Sequence, residues 1–136
     1  MLKRRIAAVD DAYVLRRWWS AVAGGVPRDV VSLWFGVVDL PDGQPPGRYL
    51  TVTGCEEFDA EDASGTWIKT PTWWPHRRYV RPPQFAALPR GDDQAVLDAA
   101  AALVGALEPH TYVAFPLRGV AVGLDGGDFV VTWARG

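Results

Sequence analysis

Cys55 is the only thiol of the chain, Glu56 and Glu57 follow it directly, and His76 and His110 are its two histidines. A thiol nucleophile needs a base within hydrogen-bond reach and a third group to orient that base. Adjacent carboxylates raise a thiol's pKa, which opposes activation. One Cys and two His form an incomplete zinc set that needs a carboxylate as fourth ligand, and no close-spaced pair of ligands nucleates it. G-x-S-x-G, G-x-G-x-x-G and phosphate-loop patterns are absent. Cys55 therefore reads as a small buried residue, and no catalytic residue, metal or cofactor is expected.

Binding chemistry concentrates elsewhere. Trp67 to Arg81 reads WIKTPTWWPHRRYVR, three of the seven tryptophans with a tyrosine, a histidine and the cations Lys69, Arg77, Arg78 and Arg81. Trp, Tyr and Arg dominate binding hot spots because they bring large area and oriented polar groups at low entropic cost. Pro71 and Pro75 exclude a long helix or a central strand, so the segment reads as a loop. In an extended segment neighbouring side chains point to opposite faces, so Trp73 and Trp74 cannot both enter the core. The expected binding residues are Trp73, Trp74, His76, Arg77, Arg78 and Tyr79. Glu56, Glu57, Asp59, Glu61 and Asp62 form an acidic rim just before them. Those acids lack the glycine and final glutamate of an EF-hand loop, so they read as a solvated face or as a steering surface for a basic partner.

Composition narrows the classes. Charged residues make up 22% and hydrophobic residues 49%, ordinary values for a folded protein of 136 residues, and the net charge is −2. That balance argues against a dedicated nucleic-acid binder, and the basic patch sits beside acids that would repel a phosphate backbone. A single cysteine allows no internal disulfide, which suits a reducing cytoplasm. The apolar run Ile6–Val9 is too short for a signal peptide, and no run reaches membrane-spanning length.

Elements must hold this loop in place. Asp10 or Asp11 caps a helix ending at Gly24-Gly25, with Val14, Leu15, Trp18, Trp19 and Val22 on its apolar side. Residues 4–9 are a candidate strand before it. Val30–Val38 reads as a strand buried on both faces, LPDGQPPG as a turn, and Arg48–Gly54 as the returning strand. Periodicity then fails through about residue 90, apart from candidate short strands at Trp67–Lys69 and Tyr79–Val80. Asp92 or Asp93 caps a second helix through Leu107. Strands are expected at Thr111–Leu117, Gly119–Leu124 and Phe129–Ala134. Asp125-Gly126-Gly127-Asp128 joins the last two, and Phe129, Val131 and Trp133 are expected on one face.

The order helix-strand-strand-loop-helix-strand-strand-strand reads as a single α+β domain over residues 1–136. Its expected form is a two-layer sandwich: a mainly antiparallel sheet of five or six strands under two helices, with an irregular region at about 55–90. The functional expectation is a cytoplasmic, non-catalytic protein-binding domain acting through residues 67–81. An inhibitor or immunity-type protein fits that description. Self-association, with acidic and basic loops pairing reciprocally, is a second form of it. The alternative is a small-molecule-binding protein or enzyme with an aromatic-lined pocket between sheet and loop, Glu57 and His76 inside it.

Overall fold

The computed structural model describes residues 10–39 and 43–136. The candidate strand at 4–9 and residues Leu40–Asp42 of the first turn lie outside them. Helix α1 (Asp11–Val22) starts at Asp10, whose extended backbone and Oδ1, accepting the Ala12 amide at 2.9 Å, form an N-cap. Strands β1 (Ser32–Asp39) and β2 (Arg48–Cys55) make an antiparallel hairpin with Phe35 opposite Val52. Strand β3 (Tyr79–Val80) lies along the outer side of β2. Helices α2 (Pro83–Ala86) and α3 (Asp93–Leu107) lead to the second hairpin, β4 (Gly119–Leu124) and β5 (Phe129–Ala134).

The sheet runs β3-β2-β1-β4-β5. Its central pair, β1 and β4, is parallel, and every other neighbouring pair is antiparallel. Each half of the chain supplies a helix and then a hairpin, and each hairpin places its first strand at the centre. Parallel neighbours need a crossover, and the segment from Glu56 to Arg118 with α3 provides it. The result is an α+β fold, a five-stranded mixed sheet with α1 and α3 packed on it.

The helix-covered face follows from strand alternation. Leu33, Phe35 and Val37 join Leu50, Val52, Val120 and Val122 in one buried cluster with the apolar sides of α1 and α3. Trp18 and Trp19 close edge-on over Phe35, at 6.5 and 5.5 Å between ring centres. The Trp19 indole N–H donates to the Pro109 carbonyl at 3.1 Å, so this buried ring keeps its polar atom paired.

Three sequence expectations are corrected. No strand forms at Thr111–Leu117. Glu108 adopts the left-handed conformation (φ 52°) and the chain turns into a 3₁₀ segment, Pro109–Tyr112, with the Thr111 amide and hydroxyl both donating to the Glu108 carbonyl. Thr66–Lys69 is also a 3₁₀ turn, begun by Gly65 at φ 63° and the Ile68 amide bonding to its carbonyl at 3.0 Å. The final strand carries a bulge: Ala121 faces Val131 while Val120 faces Trp133. The extra residue turns Trp133 to the helix side, away from Phe129 and Val131.

Helix α2 lies where only a proline break was expected, and two buried charges hold it. Asp11 accepts the Gln84 and Phe85 amides at 2.8 and 2.7 Å. Arg48 Nη1 donates to the Phe85 and Leu88 carbonyls at 3.0 and 2.9 Å. Each charge meets the helix end of opposite partial charge.

Candidate functional site

The loop after β2 is fastened to that strand at two points. The Gly54 amide donates to the Trp73 carbonyl at 2.7 Å, and Thr51 pairs with Tyr79. Between Trp73 and Tyr79 the chain has more residues than β2 has between Gly54 and Thr51, so the surplus bulges from the sheet edge. A third tie sits inside the bulge, where the Trp18 indole N–H donates to the Arg77 carbonyl at 2.7 Å.

Alternation along this edge sorts the side chains. Trp73, beside Gly54, packs against the helix-side core, whereas Trp74 is 53% exposed. Arg78 lies over both the Trp74 ring (5.5 Å) and the Tyr79 ring (5.7 Å). Tyr79 meets Tyr49 edge-on at 6.2 Å, and Arg81 covers Tyr49 at 5.5 Å. Trp74, Arg78, Tyr79, Tyr49 and Arg81 thus form a ladder of rings and guanidinium groups along β2 and β3. Its middle is anchored, because Tyr49 is buried and its hydroxyl donates to the Pro45 carbonyl at 2.8 Å. Each guanidinium lies at cation–π distance from its ring, and the fork of N–H donors on an arginine suits carboxylates.

Of the expected binding residues, the fold brings Trp74, Arg78 and Tyr79 together. Trp73 goes to the core, and the exposed side chains of His76 and Arg77 join no stack. Tyr49 and Arg81 complete the ladder. Arg81 belongs to the cation-rich stretch already visible in the sequence. Tyr49 gives no such signal, because it reads as one more alternating strand residue.

The acidic segment leaves this edge. The Ser32 hydroxyl donates to the Glu57 carbonyl at 2.6 Å, and Phe58 reaches across to lie on Gly119 of β4. Glu56, Glu57, Asp59 and Glu61 are exposed. Asp62 accepts the Ser64 hydroxyl and amide and the Thr66 amide, which hold its carboxyl below the ordinary 3.8. Among the described residues no hydrogen bond joins residues 56–62 to residues 69–81.

The face of the sheet away from the helices is covered by rings laid flat. Gly36 and Gly123 leave room for the Trp34 indole, and Gly119 for Phe58, where any Cβ would overlap the ring. Trp67, 2% exposed, packs edge-on against Phe58 at 5.0 Å. A depression of about 450 Å³ lies between the Gly65–Lys69 turn and the β4–β5 hairpin, walled by Trp34, Ile68 and Phe129 with Lys69 and Asp125 at its rim. Neither Glu57 nor His76 lines it; Glu57 lines a separate depression of about 400 Å³ with Phe58, Trp67 and Arg118.

Cys55 lies on this face with its thiol wholly buried. Burial pushes the thiol up from 9.0 to about 11, and a hydrogen bond with Ser32 pulls the other way. It is therefore a protonated core group at neutral pH. His110 stacks on Trp133, rings 3.8 Å apart and nearly parallel. Among the described residues no cluster of three or more His, Cys, Asp or Glu is arranged to hold a metal, and no helix is long and apolar enough to cross a membrane. No protein-family model, curated protein or solved structure matches the chain.

Proposed function

We propose that this chain is a non-catalytic protein-binding domain whose contact surface is the outer side of the ladder, Trp74, Arg78, Tyr79 and Arg81, backed by buried Tyr49. The observation that carries the reading is a large exposed ring, Trp74, at cation–π distance from the Arg78 guanidinium on a segment tied down at both ends. The partner presents carboxylates to Arg78 and Arg81 and an apolar group to Trp74. Preorganisation lowers the entropy lost on binding, and the acidic residues 56–62 act at longer range by steering a basic region of the same partner.

The test is capture of a partner by tagged full-length protein from native lysate, beside Trp74→Ala and Arg78→Ala variants with parental circular dichroism. Each substitution is expected to weaken capture by about 2 kcal/mol or more. Raised salt should weaken it further. Capture unchanged by both variants would remove the ladder from the function. The small-molecule reading rests on the depression beside Trp34 and Phe129. It predicts a ligand retained in native mass spectrometry of the purified protein and lost in Lys69→Ala.

A further inference from the structure

The two edges of the sheet differ. The β3 edge is only Tyr79–Val80, whereas β5 presents six residues, FVVTWA, with no charge and no proline. Natural edge strands usually carry such residues because a bare edge recruits another strand. Val130 is 40% exposed at its middle. Along this edge runs a cleft of about 550 Å³, with Gln94 and Leu97 of α3 on one side and Ala60, Ala63 and Ser64 on the other.

Main-chain alternation shows what the edge offers. The Leu124 amide donates to the Asp128 carbonyl at 2.9 Å, and Val122 is the partner of Val130. Alternation then turns the Val130 amide and carbonyl toward β4 and those of Phe129 and Val131 outward. The bulge at Thr132 bends the rest of the strand, so the regular part of the edge is 129–131.

We propose that β5 pairs antiparallel with β5 of a second copy of this chain, joining two sheets into one across a two-fold axis. The strand is suited to itself. It has no charge to face its symmetry mate, and its ends carry opposite charges, Asp128 before it and Arg135 after it. With the axis at Val130, antiparallel pairing lays the Asp125–Asp128 turn of one strand along Thr132–Arg135 of the other, Asp125 beside Arg135. The neighbouring helix surface permits the approach. One and two turns beyond Gln94 and Leu97, the same side of α3 carries Ala101 and Gly105, small enough for two copies of α3 to meet across the axis.

Sedimentation equilibrium of the full chain, repeated on variants, decides the matter. The parent is expected to sediment at twice the chain mass of 14.9 kDa at high concentration. Val130→Lys, placing like charges near the axis, is expected to weaken association by about tenfold or more, with circular dichroism and melting unchanged. Asp125→Arg is expected to weaken it and Asp125→Arg with Arg135→Asp to restore it. Slowed exchange of the Phe129 and Val131 amides at high concentration would locate the contact. A parent that stays monomeric at every concentration, or a dimer indifferent to Val130→Lys and to the charge swap, would overturn the proposal.

Discussion

The two faces of the sheet are closed by different means. The helix side is branched and aromatic, and two helices seal it with tryptophans whose indole N–H groups are paired. The other side is built on Gly36, Gly119, Gly123, Thr51 and Thr53, with single rings and the irregular Glu56–Lys69 segment laid over it. Trp34 Nε1, Thr51 Oγ1 and Trp67 Nε1 are buried there without a hydrogen-bond partner. One face gains its stability from area and shape, while the other trades part of it for a loop that reaches the β2 edge and carries the ladder.

Perturbations of the two faces should separate them. Phe35→Ala, at the centre of the helix side, is expected to lower stability by about 3–5 kcal/mol in chemical denaturation. A smaller cost on that side than on the ring-covered side would reverse the comparison. Cys55 reports the other face through alkali. Its thiol ionises at 9.0 when unfolded and about 11 when folded, so stability is full below 9.0 and declines as pH rises toward 11. The loss should total about 2–3 kcal/mol, and Cys55→Ala should flatten that window of the pH profile.

Gly36→Ala drives a methyl into the Trp34 ring and is expected to cost about 1–3 kcal/mol, with a shift in tryptophan emission. Thr51→Val removes the unpaired hydroxyl at nearly constant volume and is expected to raise stability by about 1 kcal/mol. Were Thr51→Val to destabilise, the ring-covered face would be as well satisfied as the helix face. Trp74→Ala should change stability by less than about 0.5 kcal/mol, since the ring is exposed, and should be read out in binding instead.

What the sequence discloses follows the range of the interactions. The Asp10 cap, the tryptophans of α1, the alternation of β2 and the Gly126-Gly127 turn are local signals, and the elements they announce are present. Separation of Trp73 from Trp74 also rests on local geometry. The bulge that turns Trp133 to the helix side leaves no mark in a strand of apolar residues, because either face accepts them. Helix α2 is set by Asp11 and Arg48, far away in the chain, and Tyr49 joins the ladder only because β3 lies beside β2. Such partners are matters of tertiary proximity.

The tie between Trp18 and the Arg77 carbonyl has a consequence for proteolysis. Arg77 and Arg78 are exposed and adjacent, an obvious trypsin site by sequence. The carbonyl a protease must attack to cut after Arg77 is the one the indole holds at 2.7 Å, within a segment fastened to β2 on either side. Cleavage there requires the segment to open first, so its rate follows the free energy of local unfolding rather than exposure of the arginines. Digestion of the native protein at that bond should be slow, and Trp18→Phe, which removes the N–H while keeping a ring, should hasten it.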